Sequence, residues 1–193
     1  MEEQKTIVKV VIVGDADVGK SSIVIRYAEG QHNPNISPTL GAACLEKEVF
    51  YSGQTYVLSM WDTAGQEAYR NLVPMYFRNS QIAIIVIDVT TSKLTSSFEY
   101  WYSLVQENCE ENIPILLAAN KIDKTDERII SNDDLSALAT KYSIPFFETS
   151  AVTGVGISSL FEQALSEFFK RGISTSQNVD IKKLQEKPTG CAC

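Results

Sequence analysis

The segment Gly14-Asp15-Ala16-Asp17-Val18-Gly19-Lys20-Ser21 matches the pattern G-x-x-x-x-G-K-[ST]. It follows an apolar, β-branched run at residues 7–13 and leads into a segment of helical period at residues 20–28. Glycines let backbone N–H groups curl around a β-phosphate, and the helix N-terminus adds its positive end. Lys20 would contribute an ammonium group and Ser21 a hydroxyl for Mg²⁺. The sequence therefore predicts a triphosphate site, without distinguishing ATP from GTP.

Apolar runs along the rest of the chain predict an α/β fold. Further strands are expected at residues 56–61, 82–89, 115–119 and 145–148, and further helices at 94–107, 133–142 and 157–170. Their alternation indicates a mainly parallel sheet with helices on both faces. Ser52-Gly53 is a turn signal that folds residues 45–60 into a hairpin, so one strand is antiparallel. We expect a mixed, mostly parallel six-stranded sheet.

Composition and charge narrow the class of protein. A chain of 193 residues suits one domain, here residues 1–171, followed by a polar, flexible tail at residues 172–193. No apolar run is long enough to span a bilayer, and the acidic start does not resemble a secretory signal. The net charge of −7 opposes binding to nucleic acid. Four cysteines fit neither a disulfide framework nor a zinc spacing, so we expect a cytosolic protein with free thiols.

A second polar segment indicates which base is bound. Asn120-Lys121-Ile122-Asp123 follows a predicted strand, at the carboxyl end where open α/β sheets bind ligands. An aspartate there can accept both the N1–H and the exocyclic amino group of guanine, whereas adenine would leave the carboxylate unpaired. Ser150-Ala151, after the last predicted strand, could present a backbone N–H to guanine O6. Taken alone, residues 120–123 could be a helix cap, but after a phosphate loop they favour guanine.

A further segment is Trp61-Asp62-Thr63-Ala64-Gly65-Gln66-Glu67. Together with residues 14–21, residues 120–123 and Ser150-Ala151, it resembles the ordered motif set of Ras-superfamily GTPases over roughly residues 6–170. The resemblance implies a monomeric P-loop NTPase of the small G-domain type that binds GTP or GDP with Mg²⁺, hydrolyses GTP, and frees two switch segments when the γ-phosphate leaves. The nucleotide contacts implied are Asp15, Ala16, Asp17, Val18, Gly19, Lys20, Ser21, Ser22, His32, Thr39, Gly65, Asn120, Lys121, Asp123, Ser150 and Ala151.

The resemblance also assigns the metal and the reaction. It implies that Ser21 and Thr39 bind Mg²⁺, with Asp62 holding the ion through water, and that Gln66 orients the attacking water. Residues 29–38 contain no arginine. We therefore expect slow intrinsic hydrolysis and an activating protein that supplies an arginine, an effect of about 10³ to 10⁵ in rate.

The end of the chain and two internal segments are similar to one branch of this superfamily. Cys191-Ala192-Cys193 resembles the C-x-C end of Rab proteins, which implies geranylgeranyl chains on Cys191 and Cys193 and stable anchoring. Residues 41–43 and 74–78 are similar to the early-endosomal Rabs. The resemblance implies a regulator of vesicular traffic on the cytoplasmic face of endosomal membranes, cycling with the cytosol. Its partners would be an exchange factor, an activating protein, effectors, and an escort protein or GDP-dissociation inhibitor.

Three positions depart from the family pattern. His32 stands where relatives place an aromatic residue against guanine, and Ala16 stands where many relatives have glycine or serine, which puts a methyl group near the γ-phosphate. Cys44 stands where the endosomal branch has phenylalanine. The effector-facing residues implied are Gly41, Ala42, Cys44, Trp61 and Tyr76. Three alternatives stay open: a scaffold that binds guanine nucleotide without efficient cycling, an ATP-using P-loop enzyme, and Arg70 as an internal catalytic arginine.

Overall fold

The structure is a computed structural model that describes residues 5–34, 36–37, 39, 41–64 and 73–172. The strands are β1 Thr6–Val13, β2 Ala42–Tyr51, β3 Gln54–Thr63, β4 Ile82–Asp88, β5 Ile115–Asn120 and β6 Phe146–Thr149. The helices are α1 Lys20–Glu29, α2 Val73–Phe77, α3 Leu94–Asn108, α4 Asn132–Tyr142 and α5 Ile157–Lys170, with a 3₁₀ turn at Thr125–Glu127. In these described residues, no helix is both long and apolar enough to cross a bilayer.

The strands form one six-stranded sheet in the order β2-β3-β1-β4-β5-β6. Every neighbouring pair is parallel except β2 and β3, so the predicted mixed sheet with one antiparallel strand is confirmed. The hairpin turn lies at Ser52 and Gly53, whose φ angles of 49° and 84° suit the primed turn that matches strand twist. Strand β2 begins at Ala42, earlier than predicted, because pairing with β3 overrides the weak strand pattern of residues 42–44.

Hydrophobic cores cover both faces of the sheet. Side chains alternate along β1, so Val10 and Ile12 pack towards α1 and α5, whereas Val11 and Val13 pack towards α3 and α4. A sheet buried on both faces needs the near-continuous apolar strands that the sequence contains. Strands β1, β3, β4, β5 and β6 all run parallel. The polar loops that follow β1, β3, β5 and β6 therefore lie at the same carboxyl end of the sheet, where the site lies.

Candidate nucleotide and metal site

The predicted phosphate loop joins β1 to α1. Gly14 and Gly19 have φ angles of 147° and 95°, a region that side chains disfavour. A Cβ atom on Gly14 would also collide with the carbonyl oxygen of Val86, and one on Gly19 with the amide of Asn120. Both glycines therefore let the loop lie directly against β4 and β5.

Lys20 opens helix α1 and is only 6% exposed. Its Nζ donates a 2.7 Å hydrogen bond to the carbonyl of Asp15. Burial lowers the pKa of Lys20 to about 8, and the charges of Asp62, Asp15 and Asp17 oppose that shift. A desolvated ammonium group gains from an added anion, so this position suits a phosphate.

Three oxygen-bearing side chains meet beside Lys20. Ser21 Oγ donates to Asp62 Oδ2 at 2.5 Å, and Thr39 Oγ1 donates to the same atom at 3.0 Å. The two hydroxyl oxygens are 2.9 Å apart. The other carboxylate oxygen, Asp62 Oδ1, is buried without a hydrogen-bond partner. Burial raises the pKa of Asp62, although the hydrogen bonds of Ser21 and Thr39 and the charge of Lys20 lower it.

This donor set fits Mg²⁺. The ion prefers oxygen ligands and usually takes one or two carboxylates together with waters and substrate phosphates. Ser21, Thr39 and Asp62 supply a carboxylate and two hydroxyls, and the orphaned Asp62 Oδ1 gives a cation a buried negative partner. All three predicted metal ligands are therefore brought together.

A cleft of about 530 Å³ runs from the phosphate loop past these oxygens. Its lining includes the predicted residue His32, whose Nδ1 is buried without a hydrogen-bond partner. The lining residues are Ala16, Asp17, Gly19, Lys20, Ser21, Ser22, His32, Asn33, Pro34, Ile36, Ser37, Thr39 and Thr63. The cleft thus joins the phosphate loop to the segment that carries Thr39.

The predicted base-binding segment begins at the carboxyl end of β5. Asn120 Nδ2 donates to the carbonyl of Val18 at 2.9 Å, and Asn120 Oδ1 accepts a 3.2 Å bond from Thr149. Asn120 therefore ties the phosphate loop to β6. Asp123 Oδ1 accepts a 2.5 Å bond from Ser150 Oγ, which links the aspartate to the loop after β6.

Lys121 is anchored by a residue that the sequence did not single out. Its Nζ lies 2.9 Å from Asp88 Oδ2 and 3.6 Å from Asp17 Oδ2. Burial works to raise the pKa of Asp88, but hydrogen bonds from Lys121 and Thr90 hold it below its usual value. Asp88 could have been found from the sequence because it ends an apolar strand at the same edge as the motifs.

The loop after β6 is shaped by backbone hydrogen bonds. Ser150 N donates to the carbonyl of Val155 at 3.0 Å, and Gly154 N donates to the carbonyl of Ser150 at 2.8 Å. Ala151 is 5% exposed. These bonds fix the loop that carries Ser150, whose hydroxyl is bonded to Asp123.

The predicted effector-facing residues form a continuous surface beside the site. Cys44 and Ala42 lie opposite Trp61 and Thr63 in the β2–β3 pairing. The ring centroids of Trp61 and Tyr76 are 6.2 Å apart, and the Tyr76 hydroxyl lies 3.1 Å from where a Cβ of Gly41 would stand. Sequence reasoning missed Lys9, whose Nζ lies 4.4 Å from the centre of the Trp61 ring.

Some predicted residues lie outside the described part of the chain. They are Gly65, Gln66 and the rival Arg70, together with the lipidation sites Cys191 and Cys193. Their assigned roles stay predictions.

Comparisons with known proteins identify relatives over most of the chain. A sequence model of the Ras family matches residues 9–170. The human Ras-related protein Rab-22A is 40% identical over 171 residues, covering 89% of this chain and 86% of that protein. Rab-22A of Canis lupus familiaris is 42% identical over 153 residues, covering 79% of each chain. Ras-related protein Rab-27A of the same species is 36% identical over 176 residues, covering 86% of this chain and 80% of that protein.

Proposed function

Because this chain belongs to the Ras family of small GTPases, and within it to the Rab proteins, we propose that it is a GTP-binding and GTP-hydrolysing switch that regulates vesicular membrane traffic. The observation that carries the proposal is that two groups of side chains lie at the carboxyl ends of the strands. Lys20, Ser21 and Asp62 form the group that we call the phosphate end, and Asp123 and Ser150 form the group that we call the base end.

At the phosphate end, Lys20 would neutralise charge on the β and γ oxygens, with backbone N–H groups of residues 15–20 around the β-phosphate. Ser21, Thr39 and Asp62 would hold Mg²⁺. The bound ion would supply stabilisation of the negative charge that develops on the phosphate oxygens. Thr39 lies in a loop, so its contact with the site would depend on the γ-phosphate and give the switch its output.

At the base end, Asp123 would accept hydrogen bonds from guanine N1–H and the exocyclic amino group. Its hydrogen bond from Ser150 orients the carboxylate. Adenine would leave an acceptor unpaired, and unpaired buried acceptors are costly. The cleft wall at His32 would stack on the base edge in place of the usual aromatic residue.

For hydrolysis we propose Gln66 as the residue that orients the attacking water and an activating protein as the source of a catalytic arginine. In the test, the full chain is incubated with GTP and Mg²⁺ under single-turnover conditions, and GTP and ATP compete for binding. We expect GTP to displace labelled GDP, ATP to fail, and phosphate release to be slow. ATP binding equal to GTP binding would overturn the guanine proposal.

A Gln66→Ala variant provides the matched test of the reaction. It should retain GDP and GTP as tightly as the wild type while hydrolysing GTP more slowly. Equal hydrolysis by both proteins would remove Gln66 from its role. Absence of hydrolysis in the wild type even with cell extract would favour a non-cycling scaffold.

We propose further that residues 1–171 form the switch domain and residues 172–193 a tail anchored by geranylgeranyl chains on Cys191 and Cys193. The expected location is the cytoplasmic face of endosomal membranes. Two chains would suffice for stable anchoring. The tagged protein should label membranes in cells, and deletion of its last three residues should shift it to the cytosol. Unmodified terminal cysteines in the mass spectrum of the native protein would contradict lipid anchoring.

A further inference from the structure

The carboxylate of Asp15, the second residue of the phosphate loop, is bonded to helix α3. Its Oδ1 accepts a 2.9 Å hydrogen bond from Trp101 Nε1, and its Oδ2 accepts a 2.7 Å bond from Ser97 Oγ. Ser97 and Trp101 are one helical turn apart, so both donors leave the same face of α3. Each carboxylate oxygen therefore has its own partner on one rigid element.

The two donors are shielded from solvent. Trp101 is 0% exposed and Ser97 is 8% exposed. A buried indole N–H that loses its acceptor cannot turn to water instead, so its hydrogen bond is costly to break. The pair therefore holds the Asp15 side chain in one position.

The backbone of the same residue takes part in the phosphate site. Lys20 Nζ donates to the carbonyl of Asp15, so one residue connects the phosphate-binding lysine to α3. The next two loop side chains offer no comparable anchor. Ala16 is exposed, and the fully exposed side chain of Asp17 lies 3.6 Å from Lys121.

We infer that Asp15 is a positioning residue that sets how long the nucleotide stays bound. It fixes the loop against α3, so that the backbone N–H groups stay aimed at the phosphates. It also turns its own negative charge towards Ser97 and Trp101, and so away from the phosphates that this charge would repel. The inference rests on the proposed function and adds that α3, a helix outside the sequence motifs, controls nucleotide release.

The test measures release of fluorescent GDP from the full-length protein loaded in the presence of Mg²⁺. Asp15→Ala should release GDP about tenfold faster, because the loop loses both bonds. Asp15→Asn is the conservative rescue and should release GDP more slowly than Asp15→Ala, since its amide oxygen accepts from Trp101 and the Ser97 hydroxyl can accept from its amide nitrogen. Ser97→Ala should lie between them.

Glu99→Ala is the matched control. Glu99 lies on the same helix and its carboxylate also accepts two hydrogen bonds, but from α4. Its loss should leave GDP release unchanged. Equal GDP release rates for Asp15→Ala and Glu99→Ala would overturn the inference. If Asp15→Ala does not fold, a Ser97→Ala release rate equal to that of the wild type would overturn it instead.

The unfolding midpoint distinguishes a purely structural anchor from a positioning residue. If Asp15 were only a structural anchor, Asp15→Ala would have a lower unfolding midpoint but an unchanged rate of GDP release, and that result would contradict the inference. The Trp101 indole N–H resonance should also shift, and its hydrogen exchange should accelerate, in Asp15→Ala but not in Glu99→Ala. A wild type that never retains GDP overturns the proposed function as well, whereas tight retention with an unaffected Asp15→Ala removes only this inference.

Discussion

At the scale of single residues, Lys20 and Asp62 carry opposite charges that the fold removes from water. Burial lowers the pKa of Lys20 to about 8 and raises that of Asp62, so burial disfavours the charged form of each. An added phosphate favours charged Lys20, and an added divalent cation favours ionised Asp62. The two desolvated groups thus give the site a preference for a phosphate and a metal together.

The Asp123 carboxylate is predicted to select the base by its two acceptor oxygens. In Asp123→Asn, one oxygen becomes an NH₂ donor facing the donors of guanine. We expect the affinity for GTP to fall at least about a hundredfold. The affinity for xanthosine triphosphate should rise, because xanthine has a carbonyl where guanine has its amino group.

Competition against labelled GDP measures both affinities. Asp126→Asn is the control, since Asp126 lies exposed in the 3₁₀ turn at Thr125–Glu127. It should bind GTP as the wild type does. Unchanged GTP binding by Asp123→Asn would remove the base-selecting role.

A half-buried lysine outside the nucleotide site should make stability depend on pH. Partial burial lowers the pKa of Lys9 to about 8 from 10.5. Between these values the unfolded chain holds a proton that the folded chain has released, so the contribution of Lys9 to stability rises with pH. Lys20 acts in the same direction, whereas Cys109, whose pKa burial raises to about 12, acts in the opposite one.

The Lys9→Met variant isolates this contribution, because Lys20 is present in both proteins. Urea unfolding under reducing conditions should show the wild type gaining stability relative to Lys9→Met between about pH 8 and pH 10. A constant difference across that range would contradict the expected effect of burial on Lys9.

Motifs predicted the residues whose type and spacing carry the chemistry, such as Lys20, Ser21 and Asp123, because local backbone geometry brings them to the ligand. The partners of these residues were harder to predict. Nothing in the sequence pairs Asp15 with Trp101, because the contact depends on how α3 packs against the loop. Asp88 belongs to no motif, so only its place at the end of an apolar strand could have indicated its ion pair with Lys121.

At the scale of elements, helix α4 begins with a capping box. Ser131 Oγ accepts from the backbone N–H of Asp134, and Asp134 Oδ2 accepts from the backbone N–H of Ser131. The helix begins at Asn132, one residue before the predicted start. By contrast, α2 spans only Val73–Phe77, too short for a helical period to be recognised.

Removing the cap should measure its contribution directly. Ser131→Ala leaves the first turn of α4 without a side-chain acceptor, so we expect about 1 kcal/mol less stability towards urea. Ser96→Ala removes an exposed hydroxyl that makes only a long 3.4 Å bond in α3, and it should cost less. Equal losses in the two variants would mean that the capping box contributes nothing specific.

At the scale of the whole molecule, the candidate site draws on strands from across the sheet. The phosphate loop follows β1, Asp62 lies near the end of β3, Asn120 ends β5 and Ser150 follows β6. A ligand that contacts all of them binds the folded chain and has no equivalent site in the unfolded one. Stability and nucleotide occupancy should therefore be linked.

Nucleotide binding should therefore stabilise the folded chain. GDP with Mg²⁺ at about a thousandfold excess over its dissociation constant should add about 4 kcal/mol to the free energy of unfolding. ATP should add little, and chelation of Mg²⁺ should remove part of the GDP effect because Ser21 and Asp62 would lose their shared partner. Thermal unfolding of the wild type with each ligand gives the comparison, and Asp123→Asn should lose at least about two thirds of the GDP effect while keeping its stability without ligand. If GDP stabilised Asp123→Asn as strongly as the wild type, binding would not depend on the base end of the site, and the two-ended site would have to be abandoned.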